Sequence, residues 1–310
     1  MGKLKTFRKM WSENPDKLKQ KFISDFSRLK ISHIIPDKMF LKLYYKVIFG
    51  RKLNLQNPKT FNEKLQWLKQ YDRNPEYTRL VDKYEVKKIV AEKIGEKYVI
   101  PALGIWKQFD EINFKDLPNQ FVLKCTHDSG GIVICTDKSK LNVEEVRRKL
   151  CKCMSRNFYY QTREWPYKNV KPRILAEKYI IDETYGELRD YKFFCFNGEP
   201  KIMFVATERQ LEGEEVKFDF FDMDYNHLNI INGHPNAKTI PEKPVYFDEM
   251  KMLARVLSEG IPHVRIDFYE ANGHVYFGEF TFAHFGGFVP FEPEEWDYRL
   301  GEWIVLPERK

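Results

Sequence analysis

The stretch Val264–Gly287, VRIDFYEANGHVYFGEFTFAHFGG, decides the fold. Two runs rich in β-branched and aromatic residues flank Asn272-Gly273, a strong hairpin signal. Loop length sets which side chains share a face. A two-residue loop puts Asp267 and Glu279 on opposite faces and leaves Glu279 beside Ile266. A three-residue loop, Ala271-Asn272-Gly273 with Gly273 left-handed, gathers Arg265, Asp267, Glu279 and Thr281 on one face. Val264, Ile266, Phe268, Tyr276, Phe280 and Phe282 then form the other. The second register leaves fewer charges in the core and is the one expected. It sets two carboxylates and a hydroxyl side by side, a hard-oxygen group suited to Mg²⁺. A solvated hairpin face with ordinary charges reads from the same letters.

Working outward, 310 residues with 43% hydrophobic content assure a sizeable core, in one large domain or two to three small ones. Aromatics at 15% exclude a disordered chain. No run of about 18 apolar residues marks a membrane span, and no apolar leader marks secretion. Five cysteines without a CxxC pair fit reduced thiols, hence a cytoplasmic location. The net charge of +7 is local. Residues 1–52 hold 14 Lys/Arg against 4 Asp/Glu, and the remainder 38 against 41. Phe7, Trp11, Phe22, Ile23, Phe26 and Leu29 are interleaved with the basic residues. This pattern suits peripheral contact with an anionic membrane, at its inner face, or with an acidic polymer. Helices packed on the body with lysines facing water are the plainer alternative, and no nucleic-acid partner is expected.

Along the chain, residues 1–57 read as helical pieces broken near Pro15 and Pro36. Thr60 and Glu63 form a capping box that starts a helix. A second helix runs from about Thr78 to Gly95, with Leu80, Tyr84, Ala91 and Ile94 inward. Phe121–Cys125, Ile132–Cys135 and Arg173–Ile180 read as strands. Asn142 and Glu145 cap a helix between the last two. Leu188–Phe196 and Lys201–Ala206 flank an Asn197-Gly198 turn. Asp248–Leu257 and Pro293–Trp303 complete the helices. The class is α+β with mostly antiparallel sheet.

Two further constellations carry chemistry. Lys124 precedes the turn Ser129-Gly130-Gly131, whose glycines would let backbone N–H groups approach phosphate. No Walker loop or GxGxxG fingerprint is present, and such a turn also serves as an ordinary hairpin. Glu177-Lys178 sits on an apolar strand, followed by Glu187 and Lys192. Carboxylate and carbonyl there suit adenine amino protons, and lysine suits phosphate; surface ion pairs would use the same residues.

In order and spacing these motifs resemble the ATP-grasp superfamily. VLKCTHDSGG is similar to its nucleotide lysine and glycine loop, and AEKYI to its adenine hinge. RIDFY…GHVYFGEFT resembles the metal hairpin of D-alanine–D-alanine ligases, and Asp82-Lys83 with Lys87 the region before the nucleotide lysine. FNEKLQWLKQYDRNPEYTRLVDKYEVKK, REWPYKNVKPRILAEKYI, LRDYKFFCFNGEPK and PEEWDYRLGE resemble the TupA-like branch, linked to teichuronopeptide and capsule polysaccharide synthesis. The resemblance implies an ATP-grasp fold that clamps nucleotide between two mostly antiparallel sheets. It divides the chain into a basic helical arm (1–57), a pre-nucleotide region (58–118), a lid (119–182) and a metal-bearing subdomain (183–310).

By position, the resemblance gives Lys124 and Lys178 the phosphates, with Ser129, Gly130 and Gly131 closing over them. Glu177 and Ile180 would hold adenine, Glu187 the ribose, and Lys192 would sit near the phosphates. Asp267, Glu279 and Thr281 would bind Mg²⁺, Thr281 replacing the usual and stronger ligand Asn. A proline-glycine after the motif gives way to Ala283-His284-Phe285-Gly286-Gly287. The implied activity is an ATP- and Mg²⁺-dependent carboxylate–amine ligase with an acyl-phosphate intermediate, acting on a glycan carboxylate and an amine or hydroxyl acceptor. Arg265 would stabilise the tetrahedral intermediate and His284 would act as base. A glycosyltransferase using Asp222-Met223-Asp224, a glycan kinase, and a non-catalytic scaffold are the alternatives.

Overall fold

The computed structural model describes residues 15–184, 186, 188–208 and 215–309. Phe7, Trp11 and the ribose candidate Glu187 lie outside them. Among the described residues, ten strands form two sheets, every neighbouring pair antiparallel. The smaller has the order β1-β4-β2-β3: Ala102–Trp106, Ile174–Lys178, Phe121–Cys125 and Ile132–Cys135. The larger has the order β10-β9-β5-β6-β7-β8: His274–Thr281, His263–Ala271, Asp190–Phe196, Glu199–Thr207, Lys217–Asp222 and His227–Leu228. This is the expected α+β class. Strand β1 lies before residue 119 yet pairs with β4, and β1, β7 and β8 have no counterpart in the sequence reading.

Alternation along β5 explains why the large sheet carries a layer on each side. Tyr191, Phe193 and Cys195 join one core with Phe247, Met250, Leu253 and Leu257 of the helix Phe247–Ser258. Phe194 and Phe196 join another with Phe61 and Leu65 of α3, Phe61–Tyr71, and with Leu300 of the helix Glu295–Trp303. The small sheet packs Phe121, Leu123, Ile174 and Ala176 on Val146 and Leu150 of the helix Val143–Met154. Near the N-terminus lie α1, Pro15–Ser27, and α2, Asp37–Phe49. No helix among the described residues is long and apolar enough to cross a membrane.

Helix starts follow side-chain chemistry. The Thr60 hydroxyl accepts from the Glu63 amide, and the Glu63 carboxylate accepts from the Thr60 amide, so both halves of the capping box form. The expected single helix from Thr78 to Gly95 is instead two, α4 (Glu76–Val81) and α5 (Glu85–Ile94). Asp82 breaks it: its carboxylate accepts from the amides of Tyr84 and Glu85, restarting the chain as a helix N-terminus does. The inward face of α5 is consequently Val86, Ile89 and Val90 and does not centre on Tyr84, Ala91 and Ile94.

The β9–β10 hairpin corrects the expected loop. His274 pairs with Ala271, so the loop has two residues, Asn272 and Gly273, with φ of 52° and 74°. The extra residue that restores parity is Gly278, a bulge between Phe277, opposite Phe268, and Glu279, opposite Asp267. Before the bulge the phase is inverted. Tyr276 therefore lies opposite Tyr269 and leaves the apolar face, while Val275 and Phe277 enter the core. A side chain at 278 would begin 3.0 Å from the Asp267 carbonyl, which is why the bulge carries glycine.

Candidate functional site

Register builds the site. Lys192 on β5 lies opposite Asp267 on β9, which lies opposite Glu279 on β10. The neighbouring row is Phe194, Arg265 and Thr281. Two carboxylates directly opposed across strands repel each other, and the two cations offset this. Lys192 Nζ stands 2.5 Å from Asp267 Oδ2. Arg265 grips Asp267 through Nε to Oδ1 and Nη2 to Oδ2, both at 2.7 Å. Burial would raise the Asp267 pKa, but Arg265 and Lys192 outweigh it and hold the carboxyl below its usual range. Burial lowers the Lys192 pKa against the opposing pull of Asp267. Glu279 is 38% exposed, and its Oε1 lies 3.4 Å from Arg265 Nη2.

Three of the residues with expected roles are bonded to one another. Arg265 is buried with all three guanidinium nitrogens engaged: Nε and Nη2 on Asp267, Nη2 also on Thr281, and Nη1 on His284. It braces the acidic pair. His284 is buried, and its Nδ1 accepts from Arg265 Nη1 at 2.6 Å. Arginine has only donors, so Nε2 carries the proton, donated to Asn232 Oδ1 at 2.8 Å. Burial, then the Arg265 and Lys192 charges, push the imidazole pKa well below its ordinary value. His284 orients Arg265 and offers no free nitrogen as a base. The Thr281 hydroxyl accepts from Arg265 at 3.0 Å and donates to Glu279 at 3.2 Å, so it links these two.

The second cluster lies where the sheets face each other. Glu177 on β4 is buried between Lys87 of α5, at 2.5 Å, and Lys124 of β2, at 2.6 Å. Burial alone would raise its pKa; the two ammonium groups bring it down to about 2. Glu177 thus fixes two lysines at the edge of the cleft. Lys87 resembled the family's region in sequence but had no assigned role.

A cavity of about 200 Å³ opens beside this cluster, walled by Val122, Ile132 and Ile134 from the small sheet and Ile180, Leu188 and Tyr269 opposite. Lys124, Glu177 and Lys178 supply its polar edge. A second space of about 50 Å³ shares Lys124, Glu177 and Tyr269 with it and continues past Lys83 and Lys87 to Gly278 and Glu279. The cleft therefore runs from an apolar slot, along lysines, to Glu279. Hairpin-tip residue Asn272 fixes the chain beyond the slot: its amide donates to Asp182, and its side chain bonds Ile181 and Glu183.

The Ser129–Gly131 turn does not line this cleft, whose wall includes the next residue, Ile132. Its Ser129 amide donates to Asp128 Oδ1, and a Cβ at Gly131 would stand 2.8 Å from Cys125 Sγ. Gly131 is there for close packing on β2. Asp222 accepts from the amides of Asp224 and Asn226, so the DxD letters make a turn. A larger cavity, about 830 Å³, lies away from both clusters between α3 and residues 298–309.

Sequence reasoning missed the floor of the acidic site. Lys69 on α3 donates to the carbonyls of Thr162 and Gly286, both at 2.7 Å, and burial pushes its pKa down to about 7. Glu164 is its buried counter-charge, with its pKa raised by burial. Gln66 bonds the carbonyls of Gly286 and Gly287. These contacts join residues more than 90 positions apart, and no local pattern announces them.

Fit to a divalent cation follows from the donor set. Among the described residues no group of three His, Cys, Asp or Glu forms a protein cage. Glu279 opens on the lysine-lined cleft, and Asp267 lies directly opposite it with both oxygens held by Arg265 and Lys192; a Mg²⁺ arriving with phosphate oxygens would meet Glu279 first and reach Asp267 by displacing Lys192.

No curated protein matches the chain. Among solved structures, a D-alanine–D-alanine ligase from Bacillus anthracis complexed with ATP is 14% identical at a TM-score of 0.38, covering 65% of this chain and 53% of that one. The Helicobacter pylori ligase is 13% identical at 0.42, over 79% and 69%. The ATP-grasp ligase PsnB, complexed with minimal precursor, Mg and ADP, is 10% identical at 0.38, over 73% and 60%. The chain thus spans about half the length of the first, and likenesses this distant carry no inference about the site. The TupA-like ATP-grasp family model matches residues 63–305, most of the sequence, and the protein belongs to that family.

Proposed function

We propose that the protein is an ATP- and Mg²⁺-dependent ligase that activates a carboxylate and joins it to an amine. Its substrate in this reading is a cell-surface polysaccharide or precursor, in capsule or teichuronopeptide synthesis. One observation carries the proposal: the cleft that leads from the slot at Ile180 and Leu188, past Lys124 and Lys87, to Glu279. Adenine fits between the apolar walls of the slot. Lys178 and Lys124 neutralise phosphates, and Lys192 keeps Asp267 ionised from behind. Asp267 and Glu279 would hold Mg²⁺, which when bound supplies neutralisation of charge on the transferring phosphoryl group.

The substrate carboxylate oxygen attacks the γ-phosphorus, and ADP departs with the broken P–O bond's electrons. The amine nitrogen then bonds the acyl carbon of the acyl phosphate. Phosphate leaves and carries away the amine proton. Arg265 keeps both acidic side chains aligned throughout. Consumption of ATP suits a cytoplasmic reaction.

Glu279→Gln tests the assignment, because Glu279 is half-open and Arg265 keeps its two shorter bonds to Asp267 in the variant. Phosphate release should fall by about 100-fold or more, with the fold intact. Unchanged turnover would contradict the proposal. A thermal shift with ATP–Mg²⁺, and none with UDP-sugars, separates it from a glycosyltransferase; the reverse pattern would favour the latter.

A further inference from the structure

Between residues 22 and 43, Phe22, Leu29, Ile31, Ile34, Met39 and Leu43 face water. Ile34 is 77% exposed and Ile31 61%. They lie on three consecutive pieces: α1, the 3₁₀ turn Lys30–Ile34, and α2. Ile31 and Ile34 share one side of the 3₁₀ turn, and Met39 and Leu43 one side of α2. The fold does not need these side chains. The same pieces are held from their other side, where Ile23, Phe40, Leu41 and Tyr44 enter the core. Arg163 donates to the Ser32 carbonyl at 2.7 Å and stands 4.0 Å over the Phe40 ring. His33 stacks on Tyr160 with centroids 3.7 Å apart.

Exposed cations alternate with the apolar ridge: Lys21, Arg28, Lys30, Lys38 and Lys42. The exposed acid among them, Asp25, sits 3.7 Å from Arg28. An acidic polysaccharide would pair with the cations but leave the isoleucines in water. A bilayer with anionic headgroups takes both: apolar tips enter the headgroup–acyl boundary while lysine stems extend to the phosphates. We infer that the α1–α2 face of this protein docks on an anionic lipid surface through Phe22, Ile31, Ile34 and Met39. The inference does not depend on the nucleotide chemistry. It has a geometric consequence for it, since Tyr160 and Arg163, which hold the arm, are followed directly by Glu164 in the floor of the acidic site.

Co-sedimentation of the full chain with vesicles tests this. Phosphatidylglycerol–phosphatidylcholine vesicles should bind about tenfold more tightly than phosphatidylcholine alone, with binding that weakens as salt rises. The double substitution Ile31→Asp with Ile34→Asp should lower binding about tenfold, and Lys38→Glu with Lys42→Glu should remove the preference for anionic lipid. Both variants should keep the wild-type melting temperature. Equal binding to neutral vesicles, or binding indifferent to the isoleucine changes, would overturn the inference. So would a dimer dissolved by those changes without vesicle binding, or vesicle binding seen only after residues 1–14 are removed. A thermal shift with ATP–Mg²⁺ on the same samples reads the ligase proposal independently.

Discussion

Asp267→Asn should abolish turnover and also lower the free energy of unfolding by about 3–5 kcal/mol. The second effect separates Asp267 from its partner across the strand. Asp267 is completely buried and is the common counter-charge of Arg265 and Lys192. Both its oxygens receive short, charge-assisted hydrogen bonds. Asparagine fits the space but turns an N–H₂ donor toward one of those cations, leaving Lys192 with Asp190 at 3.4 Å and Arg265 with Glu279 at 3.4 Å as their remaining, longer ion pairs. Glu279→Gln, at a side chain open to the cleft, should stay within about 1 kcal/mol of wild type. Chemical denaturation of both variants checks this. Equal shifts in the two would mean that Asp267 does not organise the buried charges.

Glu177→Gln should cost about 3 kcal/mol at neutral pH and flatten the acid limb of the stability curve. The folded pKa of Glu177, about 2, lies below its ordinary 4.5 because Lys124 and Lys87 outweigh burial. A depressed carboxyl pKa means that the unfolded chain takes up the proton first. The stabilisation is therefore complete above about pH 4.5 and is lost as pH falls toward 2. Urea midpoints measured from pH 7 to 2 should show wild type and variant converging over that window. Parallel curves would show that Glu177 is not held by the two lysines.

Much of this architecture was legible because strand patterning constrains it. Phase in VRIDFYEA and FGEFTF forces Arg265, Asp267, Glu279 and Thr281 to one face, whether the odd residue sits in the loop or in the strand. Its location was misjudged, although Gly278 inside an otherwise apolar-rich strand is itself a bulge signal. The Asn272-Gly273 pair by itself favours the two-residue turn that forms. What sequence could not show is how ionisable groups are spent. Glu177 looks like a free acceptor until Lys87 and Lys124 arrive from other elements. His284 looks like a base until Arg265 and Asn232 occupy its two nitrogens. The helix break at Asp82 was hidden because Leu80 and Tyr84 fit one helical face, while Asp82 makes its decisive bonds to the Tyr84 and Glu85 amides and to Arg173.

A crystal soaked with a non-hydrolysable ATP analogue and Mg²⁺ measures the central claim directly. The base should lie between Ile134 and Ile180, with a cation about 2.1 Å from oxygens of both Asp267 and Glu279. A nucleotide seated in the groove between α3 and residues 298–309, or a cation remote from both carboxylates, would contradict it.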